Sequence, residues 1–272
     1  MRRPYLERRE IAGRRSMWRQ RDMVTPAGET AWDALVNQAY TIDESVLEGL
    51  SAMLVIAPHP DDETLGCGGL LSRAADHGLR PRVAFLTNGE GSHPRSPSWS
   101  PERLAEQRRA EAIQALDVLG VPRSDILFLD WPDGCPRPRG LAAYQQTLET
   151  LEDWCGAFTP WSVWTPWRGE AHGDHLAAAM LGADLAGMLA RDVALMEYLV
   201  WGWTDPDLLQ RHGARNVWGL ACADLIERRQ RALAAHATQL GMITDDRTGF
   251  VLPPEIAALV ERPFEIFLER RL

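Results

Sequence analysis

Met53-Leu54-Val55-Ile56-Ala57 is an apolar run with no polar position on either face, so a strand formed by it must be covered on both sides. Short apolar runs alternate with amphipathic ones along the rest of the chain, which is the pattern of strand–helix units building a largely parallel sheet. Strands are expected at 53–57, 82–87, 125–131, 161–165 and 193–200. Helices are expected from 63 onward, at 101–119, 141–154, 174–189 and 221–240. The helix at 101–119 places Leu104, Ala112, Ala115, Leu116 and Leu119 on one face and stops at Gly120. The expected fold is therefore α/β: a Rossmann-like, mostly parallel sheet flanked by helices. It forms one domain over 51–272, with an N-terminal extension over 1–50 and inserted loops, among them the polar stretch 91–100.

Charge and cysteine usage narrow the function classes. Of the 272 residues 29 are Arg and none is Lys, against 38 acidic residues, giving a net charge of −9. An acidic balance argues against broad nucleic-acid or anionic-membrane binding, although residues 1–22 form a basic arm. No apolar run reaches membrane-spanning length, and no apolar signal core follows the N-terminal charges. Cys67, Cys135, Cys155 and Cys222 are scattered without a CxxC pair, so neither a disulfide framework nor a thiolate metal site is expected, and a cytoplasmic location is.

Two segments carry chemistry. Pro58-His59-Pro60-Asp61-Asp62-Glu63 follows the apolar strand and opens a helix, at the strand end where open α/β sheets bind ligands. An imidazole and two adjacent carboxylates suit a metal site, with His59 and Asp62 as ligands and Asp61 left free to act on a water. A helix cap would need only one Asp. The glycines of Gly66-Cys67-Gly68-Gly69 do not have GxGxxG spacing, and the preceding carboxylates would repel a pyrophosphate, so a nucleotide-binding oxidoreductase is disfavoured. The second segment, Glu170-Ala171-His172-Gly173-Asp174-His175, also falls between a strand and a helix. His175 would complete a His/Asp/His set with an open position for water, as in catalytic zinc sites. Among the other histidines, His77, His93 and His212 read as structural or solvated, whereas His236 is a candidate for the outer shell of the site.

With these motifs the chain resembles the LmbE/PIG-L family of zinc-dependent N-acetylglucosaminide deacetylases over roughly 53–239. Thr87-Asn88-Gly89-Glu90-Gly91, Arg108-Arg109-Ala110-Glu111, Pro132-Asp133-Gly134 and the run ending at Gln239 add to the resemblance. The resemblance implies that His59, Asp62 and His175 hold zinc, with Fe(II) or Co(II) as alternatives. It makes Asp61 the general base, His172 the group that stabilises the oxyanion and protonates the leaving amine, and Asp174 the residue that orients His172. Arg108, Asp133 and Glu90 would contact the sugar. Trp99, in the polar loop, and Trp164 are further candidates for substrate contact, because aromatic faces can stack on sugars or aglycones; core packing is the competing reading for Trp161 and Trp164.

The implied substrate is a small-molecule glycoconjugate. Within the family the chain looks like the deacetylases of N-acetylglucosaminyl pseudoaglycones in glycopeptide-antibiotic biosynthesis. Deacetylation of a small thiol-pathway glucosaminide, of the mycothiol or bacillithiol type, is one alternative. A non-catalytic, zinc-containing carbohydrate-binding protein is another. A bulky aromatic acceptor would require a wide mouth, and a small polar conjugate a narrow pocket with several cationic donors.

Overall fold

The computed structural model describes residues 30–50, 52–156, 162–189 and 192–271. The basic arm expected over 1–22 and Trp161 lie outside the described residues. The chain enters through α1 (Ala31–Gln38), β1 (Tyr40–Thr41) and α2 (Glu44–Gly49). It continues as β2 (Met53–Ala57), α3 (Asp62–Asp76), β3 (Arg82–Thr87), α4 (Pro101–Leu119), β4 (Ile126–Trp131) and α5 (Ala142–Cys155). It finishes with β5 (Ser162–Pro166), α6 (Gly173–Met188), β6 (Ala194–Tyr198), α7 (Leu208–Arg211), β7 (Asn216–Ala221), α8 (Ile226–Ala235), α9 (Pro254–Ala257) and β8 (Phe264–Arg270).

These strands form one eight-stranded sheet in the order β1-β7-β8-β6-β5-β2-β3-β4. Every pairing is parallel except those of β8, which runs antiparallel to both β6 and β7. Successive side chains of β2 point to opposite faces. Met53, Val55 and Ala57 enter a core that includes Leu70, Leu116 and Phe267, while Leu54 and Ile56 enter another with Leu148, Val163 and Leu181. This double burial explains why β2 has no polar position.

Local chemistry sets the element ends. Ser100 caps α4 by accepting from the Arg103 backbone N–H, Pro101 starts it, and Gly120 closes it in the left-handed region at φ 93°. The glycine-rich run lies inside α3, not in a loop. A Cβ on Gly66 would fall 2.3 Å from Tyr198 Cδ2 and one on Gly69 2.9 Å from Cys222 Cβ, so these glycines let the helix approach its neighbours closely.

Several expectations need correction. The segment 221–240 is not one helix: β7 ends at Ala221, a 3₁₀ turn follows, α8 covers only Ile226–Ala235, and a second 3₁₀ turn spans Ala237–Leu240. Residues 30–50 are part of the sheet assembly, because Tyr40 and Thr41 pair with Trp218 and Gly219 of β7. Trp164 is fully buried, donates its indole N–H to Ser162 Oγ at 2.8 Å and meets Phe267 edge-on, so it is a core residue with no access to substrate. Among the described residues no helix is long and apolar enough to cross a membrane.

Candidate active site

Strands β2 and β5 are neighbours in the sheet, so their C-terminal ends bring the two polar segments face to face. Asp62 opens α3 and His172 caps α6. Asp62 Oδ2 lies 3.1 Å from His59 Nδ1 and 3.3 Å from His175 Nε2. His175 Nδ1 is 2.6 Å from Glu170 Oε2, and the other oxygen of that carboxylate accepts the backbone N–H groups of Val200 and Gly202. Glu170 therefore fixes the ring and turns Nε2 inward, where it is buried without a hydrogen-bond partner. A buried imidazole nitrogen left orphaned beside a carboxylate, with its other nitrogen held by a second carboxylate, fits a metal-ligand set. Burial alone would lower the His175 pKa, but Asp62 and Glu170 raise it to about 9. Burial would raise the Asp62 pKa, but His175 and His59 hold it far below the usual carboxylate range.

The far nitrogen of His59 faces two more carboxylates: Nε2 is 3.1 Å from Asp174 Oδ2 and 3.2 Å from Asp133 Oδ1. Burial works against the charged ring, and Asp133, Asp174 and Asp62 outweigh it, raising the His59 pKa well above its ordinary value. Asp133 Oδ2 accepts the Gly91 N–H at 2.8 Å, and the Asp133 N–H reaches Glu90 Oε1 at 3.0 Å. Asp174 Oδ2 also accepts the Gly134 N–H at 2.9 Å.

This arrangement changes the expected partnership of Asp174 with His172. The Asp174 carboxylate is 3.9 Å from His172 Nδ1 and is directed to His59, while His172 Nδ1 accepts the Asp174 backbone N–H at 3.3 Å. An Nδ1 that accepts leaves the neutral ring with its hydrogen on Nε2. Burial and the nearby His59 and His175 lower the His172 pKa.

Asp61 is held in a backbone conformation rare for a non-glycine residue, at φ 142°. Its N–H donates to Glu63 Oε2 at 3.0 Å. Burial raises the Asp61 carboxyl to about 6, against the opposing pull of Arg108. Arg108 is itself buried; its guanidinium donates to Gly89 O and Pro60 O and lies 3.4 Å from Asp61 Oδ2. That engagement makes Arg108 a support for the Asp61 turn in addition to a wall of the site. His236 lies behind the loop, fully buried, with Nε2 3.4 Å from Glu63 Oε1 and 3.3 Å from Thr64 Oγ1.

His59, Asp61, Asp62, Arg108, Asp133 and His172 all line one cavity of about 740 Å³. Trp99 is not among the residues lining it; its ring lies under the Arg103 guanidinium, 4.1 Å from centroid to carbon. Sequence reasoning missed Glu170, whose signal was its place five residues before His175 in the same polar run. It also missed residues 248–253, which carry no recognisable motif and which line the cavity beside Trp201.

Comparison with known proteins agrees with this geometry. The family model described as GlcNAc-PI de-N-acetylase matches residues 54–186, which hold all of the proposed ligands. A 1D-myo-inositol 2-acetamido-2-deoxy-alpha-D-glucopyranoside deacetylase of Kineococcus radiotolerans is 33% identical over 115 residues, covering 39% of this chain and 31% of its own length. The chain thus spans about a third of that relative. The diacetylchitobiose deacetylase of Thermococcus kodakarensis is 27% identical over 217 residues, 78% of each chain. Among solved structures, the A40926 pseudoaglycone deacetylase has the same fold, with a TM-score of 0.54 at 23% identity over 74% of this chain and 87% of that one. Residues 54–186 thus match the PIG-L (LmbE-like) family of deacetylases, and the fold and the paired strand-end motifs agree with that match.

Proposed function

We infer that the protein is a metal-dependent amidohydrolase that removes the acetyl group from an N-acetylglucosaminyl conjugate. The observation that supports this most is the orphaned, buried His175 Nε2 beside Asp62, whose side chain lines a cavity together with His59, Asp61 and His172. A divalent cation held by His59, Asp62 and His175 would supply an electrophile for the amide carbonyl and acidify the attacking water; zinc suits this donor set, as do Fe(II) and Co(II).

The chain's own groups perform the proton work. Asp61 accepts a proton from the water as its oxygen bonds to the carbonyl carbon. His172, neutral with its hydrogen on Nε2, donates a hydrogen bond to the developing oxyanion. When the C–N bond breaks, the proton accepted by Asp61 is the one at hand for the leaving nitrogen, and acetate and a free amine are released. Asp133 and Asp174 hold the His59 ring through Nε2, and Glu170 holds His175 through Nδ1, so both imidazoles keep their orientation through the reaction. Asp133 lines the cavity, where its carboxylate can accept from a sugar hydroxyl, and Glu90, which does not line it, holds the Asp133 backbone N–H.

Relatives at the level of sequence include a deacetylase of a small inositol glucosaminide, which supports a thiol-pathway type of substrate. The open cavity supports the glycopeptide pseudoaglycone type, with a place in antibiotic biosynthesis. The test common to both is acetate release from N-acetylglucosaminides, abolished by chelation and restored by zinc. Sugar binding by metal-loaded protein without acetate release would establish a carbohydrate-binding protein instead.

A further inference from the structure

Most of the apolar wall of the cavity comes from parts of the chain that the family match does not reach, joined there by the loop 91–100, which lies within the match. Residues 54–186 carry the floor, whereas Trp201 and residues 248–253 lie beyond that match. Trp201 and Phe250 meet edge-on with ring centroids 6.2 Å apart, and Val251, next in the chain and 51% exposed, lines the same cavity. Two aromatic side chains and an aliphatic one lining one side of a cavity that also holds catalytic groups offer a continuous apolar surface to a bound ligand.

The segment is also held in place. Asp246 Oδ2 accepts the Arg95 N–H at 2.8 Å, and its Oδ1 accepts from the N–H and hydroxyl of Thr248. Asp245 accepts from the Ser96 hydroxyl at 2.6 Å and the Ser98 N–H at 3.2 Å. The Phe250 N–H donates to Ser92 O at 2.8 Å. Gly249 packs on the His93 ring so closely that an added Cβ would fall 2.1 Å from His93 Cδ2. The polar loop 91–100 and the segment 245–253 are therefore tied together as a single wall.

Its charge is as informative as its shape. Arg108 is the only Lys or Arg side chain lining the cavity among the described residues, and it is engaged by Gly89 O, Pro60 O and Asp61. A phosphorylated aglycone would find no available cation on this wall, and a polyol would meet mainly hydrocarbon.

We propose that Trp201, Phe250 and Val251 form an acceptor subsite for an uncharged, ring-bearing apolar aglycone attached to the N-acetylglucosaminyl group. The proposal rests on the deacetylase reading. The subsite selects among conjugates that share the same sugar, leaving the hydrolytic step to the groups on the floor. Burial of one ring face favours the aryl conjugate by roughly tenfold or more in kcat/KM, expressed chiefly through KM.

The test uses the full-length, zinc-loaded protein with the 2-naphthyl, methyl and inositol glycosides of N-acetylglucosamine, each as both anomers, and measures acetate release. The naphthyl-to-methyl ratio of kcat/KM is expected at roughly ten or above, and it should collapse toward one in both Val251→Asp and Phe250→Ser. Val251 is exposed, so its variant reports on the subsite even where Phe250→Ser fails to fold. Met188→Ser, on the exposed end of α6, serves as the control that keeps the wild-type ratio. Acetate release with a ratio near one, or a preference for the inositol glycoside, overturns the subsite and leaves the deacetylase reading standing. Acetate release from none of the sugars overturns that reading and the subsite with it.

Discussion

The floor and the apolar wall of the cavity are built by different means. On the floor, buried carboxylates and imidazoles sit within a few residues of two adjacent strand ends, and both rings are held by charged partners: Asp62, Asp133 and Asp174 around His59, and Glu170 at Nδ1 of His175, whose Nε2 faces Asp62 without a hydrogen bond. On the wall, two segments about 150 residues apart are joined by hydrogen bonds accepted by the carboxylates of Asp245, which is exposed, and Asp246, which is buried. Charge-assisted contacts in a buried setting are strong and cooperative; exposed ones are individually weak. The floor should therefore govern kcat for every substrate, and the wall should govern which substrate is taken.

Metal removal is the strongest way to break this contrast. Chelation should abolish acetate release from all glycosides alike, and zinc should restore it; activity that survives chelation would remove the cation from the floor. Next in size, Asp61→Asn should lower kcat by roughly 10²–10⁴-fold, the usual contribution of a positioned general base, with metal content unchanged. Asp61 must be ionised to accept a proton, and burial raises its carboxyl to about 6. The wild-type rate should therefore fall as pH drops through that region or below it, because a bound cation would favour the ionised form. The remaining activity of Asp61→Asn should lack that acid limb. A wild-type profile flat down to about pH 4, well below this range, would put the base elsewhere.

His172→Ala is expected to cost about 10²–10³-fold in kcat through loss of an oxyanion donor while metal content is retained. Donor atoms of His59, His172 and His175 lie within 4.8 Å of one another, so loss of metal in this variant would instead make His172 a ligand. Glu170→Gln should weaken metal binding by roughly 10–100-fold, because His175 loses the carboxylate that orients its ring. Metal titration monitored by activity and by direct metal analysis checks both variants.

The same contrast explains what could be read from the sequence. The β2 run and the Pro-His-Pro-Asp-Asp-Glu segment were legible because burial on both faces and a metal-suited donor set leave local signatures. The placement of β8 was not, because Glu265 and Glu269 alternate with apolar residues as if facing water. Both are buried, Glu265 against the Gly69 and Leu70 N–H groups and Arg229, Glu269 against Asn216 and Trp218. Trp164 could have faced a ligand or the core, and only its contact with Phe267, two strands away across β6, decides for the core. The role of Arg108 depends on the carbonyls of Pro60 and Gly89, which no spacing in the chain announces. Asp174 likewise sits two residues from His172 yet turns its carboxylate to His59, a choice made by the sheet order that brings β2 beside β5.

Asp245→Ala gives the smallest expected effect and the sharpest test of the wall. The side chain is exposed, and its contacts with Ser96 and Ser98 compete with water, so loss of the pair should leave the fold and the metal site intact. Phe250 remains tied to Ser92 through the backbone, and Asp246 still holds the Arg95 N–H, so the wall loosens without detaching. The naphthyl-to-methyl ratio should then fall by less than roughly fivefold, about the worth of one ordinary hydrogen bond. The drop should appear in KM, because the groups that move protons are not displaced. A fall in kcat on the methyl glycoside of the same size would mean that the wall also orders the floor, and the division between turnover and selection would no longer hold.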